Sequence, residues 1–262
     1  VLNHFSLRRD LPVRERVELA AAAGFSALGL YVLQYAQLED EGFAPAELHE
    51  LLDRHDMCIA EIEVISGLGA DGIGSTRAAE MEAVAWRMAD EFHCRYMQVI
   101  GPSELPTADA GRAYAGLCDR AADHDLVLGL EFLPFTDIVS VHDARRIVEA
   151  ADRPNAGICV DIWHHSRGAN DLAAIAALPG EMITGIQMSD GTLVPQNPDY
   201  YTDCLENRVA PGDGEFDVAG FVAAVRGTGS TVPFALEVCS AAGWADPAPH
   251  VQRIADGMRR FL

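Results

Sequence analysis

Short apolar runs bounded by turn residues alternate along this chain with longer stretches whose apolar positions recur every three or four residues. The short runs predict buried strands beginning near Leu2, Ser26, Met57, Arg95, Leu126, Ala156, Ile183 and Val232. The longer stretches predict amphipathic helices at Val13–Ala23, Pro45–His55, Thr76–Phe92, Thr107–His124, Val141–Ala151, Asp171–Leu178, Phe216–Arg226 and Pro249–Phe261. The first seven strand starts lie roughly 24 to 38 residues apart, the span of a strand with its crossover helix. Repeated over residues 1–262, this pattern predicts a single α/β domain, a (β/α)8 TIM barrel. A doubly wound sheet is the alternative, but it usually has fewer strands and often a glycine-rich phosphate turn. No such turn follows the first strand, and Gly67-Leu68-Gly69 and Gly72-Ile73-Gly74 read as loop glycines.

Helix punctuation agrees with this division. Pro12 and Pro45 stand at helix starts, and Gly24 ends the first helix. The longest irregular stretch, at about 190–215, carries prolines, glycines and Tyr200-Tyr201 after the seventh strand. A loop of that length at a strand's C-terminal end predicts a lid over the barrel mouth.

Four of the strands end in a way that suggests chemistry. Leu128-Gly129-Leu130-Glu131, Ile158-Cys159-Val160-Asp161, Gly185-Ile186-Gln187 and Ala235-Leu236-Glu237 each carry a hard oxygen donor at the last position. In a barrel these ends converge on one face, and consecutive strands are neighbours around the ring. Buried carboxylates need a partner, so Glu131, Asp161, Gln187 and Glu237 are candidate ligands for one divalent ion. Their oxygens suit Mn²⁺, Mg²⁺ or Co²⁺ better than structural zinc. Taken singly, any of the acids reads equally well as a structural ion pair.

His164 follows Asp161 by three residues and is a candidate acid, base or oxyanion donor, with a solvated loop histidine as the alternative for it and for His165. Trp163 reads either as a stacking wall for substrate or as rim packing. His4 and Glu63 are candidates for substrate contact from the first and third strands, with a core histidine and a rim carboxylate as the plainer readings. Glu61 shares a strand face with Glu63, and only one of the two is expected at the mouth.

Composition narrows the chemistry. A net charge of −21 argues against a nucleic-acid partner. All 19 basic residues are arginine. Schiff-base lysine chemistry, lysine-anchored PLP and the P-loop lysine are therefore excluded. Cys58, Cys94, Cys118, Cys159, Cys204 and Cys239 form no C-x-x-C pair and read as free thiols of a reducing compartment. No apolar run is long enough to span a membrane and no leader pattern is evident, so a cytoplasmic setting is the expectation. A homodimer is compatible with the fold and is not readable from sequence. Arg8, Arg167 and Arg208 are the candidates should the substrate be phosphorylated.

Glu131, Asp161 with His164, Gln187 and Glu237 together resemble the metal-site pattern of the xylose-isomerase-like barrel superfamily. That group includes ketose 3-epimerases, inosose isomerases and dehydratases, dehydroshikimate dehydratases and endonuclease IV. The alternating units resemble it over nearly the whole chain, whereas the specific matches lie in the second half. The resemblance implies that Glu131 and Glu237 bind metal and exchange protons on opposite faces of a substrate, that His164 contacts it, and that Arg208, before Pro211-Gly212-Asp213-Gly214, holds a substrate oxygen. Ketose epimerases usually carry histidine where this chain has Gln187, whereas some dehydroshikimate dehydratases are similar to it there. Endonuclease IV needs further early histidines, and the corresponding strand ends offer Leu33 or Gln98.

The leading expectation is a divalent-metal-dependent isomerase or epimerase of a small keto-sugar or ketocyclitol, working by α-proton abstraction through a metal-stabilised enediolate. The alternative is a metal-dependent dehydratase, a lyase, of a hydroxy-ketone such as an inosose or dehydroshikimate, with His164 protonating the departing hydroxyl. A non-catalytic barrel with its acids in ion pairs stands third.

Overall fold

The computed structural model describes residues 1–66 and 76–262, so the predicted loop glycines at 67–74 lie outside the described residues. Seven parallel strands run side by side in sequence order: β1 (Ala27–Tyr31), β2 (Cys58–Ser66), β3 (Tyr96–Ile100), β4 (Val127–Glu131), β5 (Ala156–Asp161), β6 (Ile183–Met188) and β7 (Ala235–Leu236). The ring closes through Leu2, which bridges Leu28 of β1 on one side and Leu236 of β7 on the other. Leu2 N–H donates to Ala27 O at 3.0 Å, and Asn3 N–H donates to Leu236 O at 3.1 Å. The chain is thus a single TIM barrel whose eighth stave is one bridge position. That stave is short because the Asn3 side chain accepts from Phe5 N–H at 2.9 Å and turns the chain into a 3₁₀ segment at His4–Ser6. The strand predicted from Val232 is likewise reduced to two residues, since Pro233 lacks the N–H that a ladder needs.

Helices cover the outside of the barrel close to the predicted positions, among them Val13–Ala22, Pro45–Arg54, Thr76–Phe92, Thr107–Ala122, Val141–Ala151, Val218–Gly227 and Pro247–Arg259. Their apolar faces, such as Leu48, Leu51, Met88, Leu117 and Ile254, are buried against the strands. Pro12 immediately precedes the first helix, and Gly24 leaves it at φ +85°, a left-handed turn suited to glycine. Five of the cysteines are buried and Cys58 is exposed, all as free thiols. Among the described residues no helix is long and apolar enough to cross a membrane.

The interior of the barrel is unusually polar. Tyr96 on β3 reaches across to Gly129 on β4 and Gly185 on β6, where a Cβ at either glycine would collide with its phenol ring. A Cβ at Gly29 on β1 would strike the Glu63 carboxylate from β2. These strand glycines therefore make room for large inward side chains rather than for turns. The same inward column carries, two residues further along each strand, Gln98, Glu131 and Gln187.

Candidate active site

The parallel register staggers the candidate donors along neighbouring strand ends, with Glu131 paired to Cys159, two residues before Asp161. Asp161 pairs with Gln187 across β5 and β6, Gln187 pairs with Ala235 across β6 and β7, and Glu237 stands just past β7. Asp161 also ends its strand by capping a helix: its Oδ1 accepts from Trp163 N–H at 2.5 Å. The helix Ile162–Arg167 therefore starts at once, and its first turn swings His164 back over the strand ends. Glu131, Asp161 and His164 each offer a ligand atom within 4.8 Å of the others, all three residues being buried.

Two further side chains tie the donors together. Gln98 Nε2 donates to Glu131 Oε2 at 2.6 Å and to Gln187 Oε1 at 3.4 Å. Arg208 Nη1 donates to Asp161 Oδ2 at 2.8 Å and to Glu237 Oε2 at 3.0 Å. His164 Nε2 stands 3.4 Å from Glu131 Oε1 and 3.7 Å from Asp161 Oδ2. Its Nδ1 is 2.9 Å from the Tyr200 hydroxyl, whose ring stacks on the imidazole at 6.1 Å.

The charges do not balance. Three buried carboxylates face one guanidinium, and Glu131 Oε1 has no hydrogen-bond partner. Burial, with the charges of Asp161 and Glu237, pushes the Glu131 carboxyl well above its ordinary range. Burial raises Glu237 to about 8, against the pull of Arg208 and with the push of Asp161. Burial also works to raise Asp161, but Arg208 and His164 outweigh it and hold this carboxyl below its usual value. Burial lowers His164 to about 4, leaving a neutral imidazole near pH 7. Surplus negative charge, an orphaned carboxylate oxygen and a cluster of oxygen and imidazole donors fit a divalent cation.

A cavity of about 240 Å³ opens onto this group from the C-terminal strand face, with Gln98, Glu131, His164, Arg208 and Glu237 in its lining. Asp161 and Gln187 lie one contact behind that lining, through Arg208 and Gln98 respectively. A larger cavity of about 590 Å³ lies at the opposite end of the barrel, beside Glu61 and Tyr96. It lacks the donor cluster, and barrel chemistry belongs to the C-terminal face. The expectation that one of Glu61 and Glu63 reaches the mouth is not met, since neither lines the smaller cavity and Glu61 lines the opposite one. Glu63 is fully buried and accepts from the His4 backbone N–H at 3.1 Å, while His4 itself is 1% exposed. Both are core groups beside the site, one step from the position proposed for substrate contact.

Three other readings are settled by packing. Trp163 is completely buried, with Arg167 4.4 Å over its ring and Phe216 against its edge, so it is rim packing rather than a substrate wall. His164 and His165 lie on a helix and are buried, His165 against Phe221, so neither is a solvated loop residue. Arg8 and Arg167 are paired with Asp10 and Asp203. Sequence reasoning marks Gln98 only as a strand end and Tyr200 only as part of a predicted lid, and gives neither a place in the site. Gln98 carries the same signal as the four donors, a polar group two residues after an inward Tyr96. Tyr200 opens a helix, Tyr200–Glu206, inside the stretch predicted to be irregular.

The chain matches the family of xylose isomerase-like TIM barrels over residues 17–261 and belongs to it. Two curated relatives, each named 3-dehydroshikimate dehydratase, are 36% identical (Pseudomonas aeruginosa) and 33% identical (Pseudomonas putida) over 147 residues, or 56% of this chain. These matches cover 23% and 22% of the relatives' own lengths, so the relatives are much longer proteins. Among solved structures, a xylose isomerase-like TIM barrel/4-hydroxyphenylpyruvate dioxygenase fusion protein is similar with TM-score 0.80 at 24% identity, over 98% of this chain and 41% of that one. The IOLI protein with a bound zinc atom gives 0.83 at 15% identity, over 99% and 96% of the two chains. A probable 3-DHS dehydratase, AsbF, from Bacillus anthracis gives 0.79 at 16% identity, over 98% and 97%. These structural likenesses show the fold.

Proposed function

We propose that the barrel is a divalent-metal-dependent dehydratase acting on a hydroxy-ketone of the 3-dehydroshikimate type. The observation that carries this reading is an asymmetry between the two glutamates. Epimerisation needs two bases, one on each face of the substrate. Here Glu237 Oε2 is paired with the Arg208 guanidinium, whereas Glu131 Oε2 accepts only from the neutral Gln98 amide and its Oε1, beside His164 Nε2, has no hydrogen bond. One base without an arginine partner, beside a neutral imidazole, suits elimination. The isomerase reading that stands first on the sequence therefore yields to the dehydratase, and the names of the two curated relatives support the same choice.

Glu131, Asp161, Gln187 and Glu237 would hold the cation, which supplies Lewis-acid polarisation of the substrate carbonyl. Glu131 takes the proton from the carbon beside the ketone. The C–H electrons form the new double bond as the hydroxyl leaves the next carbon, and the proton on Glu131 joins that hydroxyl as water. Tyr200 orients His164 through Nδ1, and in its Nε2–H tautomer the imidazole would donate to a substrate oxygen and stabilise its growing charge. In a 3-dehydroshikimate-type ring, loss of water and enolisation give an aromatic dihydroxybenzoate.

The test is incubation of the purified chain with 3-dehydroshikimate and Mn²⁺, following the ultraviolet absorbance of the aromatic product. Formation of that product, abolished by Glu131→Gln, supports the reading. Exchange of α-protons in ketoses in D₂O without water loss from dehydroshikimate would return the chain to the isomerases.

A further inference from the structure

Most arginines in this chain are engaged: Arg208 holds Asp161 and Glu237, Arg167 holds Asp203, and many others hold surface acids. Two that line the active-site cavity are not. Arg9 and Arg77 have no ion-pair partner among the described residues, in a chain with 40 acidic residues. Arg9 lies over an aromatic platform, its guanidinium 5.2 Å from the Phe5 ring centroid and 5.9 Å from that of Tyr31. Stacking of this kind fixes the plane of a guanidinium while its N–H edge stays free to donate. Arg77 opens the helix Thr76–Phe92, and both guanidinium charges act on the Tyr31 hydroxyl. The cavity lining is therefore mixed in charge, joining the carboxylates of Glu131 and Glu237 to two arginines that have no ion-pair partner among the described residues.

We propose that Arg9, with Arg77, forms an anion subsite, and that the substrate carries a carboxylate at the end remote from its ketone. The inference rests on the dehydratase reading, since it places the ketone at the Glu131 end of the same cavity. Both arginines are exposed, so water solvates them until an anion takes its place, whereas a neutral polyol gains no charge pairing there. A carboxylate takes two parallel hydrogen bonds from one guanidinium fork, and a second cation nearby strengthens the recognition.

Calorimetry with the full chain loaded with Mn²⁺ tests this without requiring turnover. The probes are 3,4-dihydroxybenzoate and its methyl ester, which share the catechol and differ in charge. The acid is expected to bind about tenfold tighter than the ester to the unmodified protein. Arg9→Gln with Arg77→Gln should bring the two within about twofold while ester binding stays unchanged, on the same conversion. An equal preference for acid over ester in the double variant, no preference in the unmodified protein, or no binding of either probe overturns the subsite. A ketose phosphate that competes more strongly than the acid overturns the carboxylate assignment. Turnover of dehydroshikimate with the acid preference unmoved by the variants sinks this inference alone. Loss of preference in the variants without any turnover sinks the reaction alone.

Discussion

Nη1 of Arg208 donates to Oδ2 of Asp161 at 2.8 Å inside the barrel, and the same nitrogen reaches Oε2 of Glu237 at 3.0 Å. One guanidinium thus bridges two of the four candidate cation ligands, and both the arginine and a cation would neutralise the same charge. Arg208→Met should therefore destabilise the chelated protein by about 3–5 kcal/mol, the cost of stranding buried acids. With excess Mn²⁺ the loss should shrink to about 1 kcal/mol or less, because bound metal stabilises the folded state by mass action. Urea midpoints with chelator and with metal decide the matter. An equal loss in both conditions would show that Arg208 and the cation do not share those oxygens.

The raised Glu237 carboxyl makes a pH prediction whose sign follows from linkage. Burial lifts it to about 8 from an ordinary 4.5, so between those values the folded chain keeps a proton that the unfolded chain has released. That contribution is whole below 4.5 and is lost as pH rises through 8. The chelated protein should lose on the order of a few kcal/mol from this group between about pH 5 and pH 8. Glu237→Gln should flatten the slope. The depressed histidines His4 and His164 act with the opposite sign, losing their contribution as pH falls, and they are common to both proteins. Glu131 is raised in part by the Glu237 charge, so denaturation curves across that range, compared between protein and variant, report Glu237 together with its coupling to Glu131.

Metal content offers a direct check on the donor set. One divalent ion per chain is expected by elemental analysis of the purified protein, and Glu131→Gln or Glu237→Gln should each weaken its retention. A metal-free protein that takes up none on titration would leave the carboxylates as an ion-pair network and remove the proposed reaction with it.

Tyr96 and Gly185 test the polar interior. A Cβ at position 185 would collide with the Tyr96 phenol, so Gly185→Ala should cost about 1–3 kcal/mol from overpacking. In a Tyr96→Leu background the same change should cost less than about 1 kcal/mol, a coupling that a double-mutant cycle on denaturant midpoints would measure. Equal costs in both backgrounds would mean that the glycine is there for another reason.

The barrel and its donor set were readable because both depend on local sequence. Period-two strands ending in Glu131, Asp161, Gln187 and Glu237 announce themselves one strand at a time, and the barrel then gathers these strand ends on one face. What escaped depends on contacts distant in sequence. The helix Val32–Asp40 follows β1 without a turn signal, and Tyr200–Glu206 is capped by Asp199 within a stretch crowded with prolines. Trp163 looks like a substrate wall until Arg167 and Phe216 are seen to enclose it. Arg9 and Arg77 stand out only when they are found to line the cavity without an ion-pair partner among the described residues, which no single segment reveals.

Tyr200 is the remaining lever on the chemistry, and it acts through His164. Its hydroxyl stands 2.9 Å from Nδ1, on the far side of the ring from Glu131 and Asp161. In the tautomer that the proposed reaction uses, Nδ1 accepts from Tyr200 and the Nε2 proton points toward substrate. Without the hydroxyl, the imidazole loses the hydrogen bond that holds its orientation. Tyr200→Phe keeps the stacked ring and removes only the hydrogen bond, so the fold and the cation should be retained. Activity should fall about 10- to 100-fold, the range for losing an orienting partner, with the loss in kcat and little change in KM. A Tyr200→Phe protein with unchanged kcat would show that His164 needs no such partner. A loss confined to KM would place the Tyr200 hydroxyl on the substrate itself.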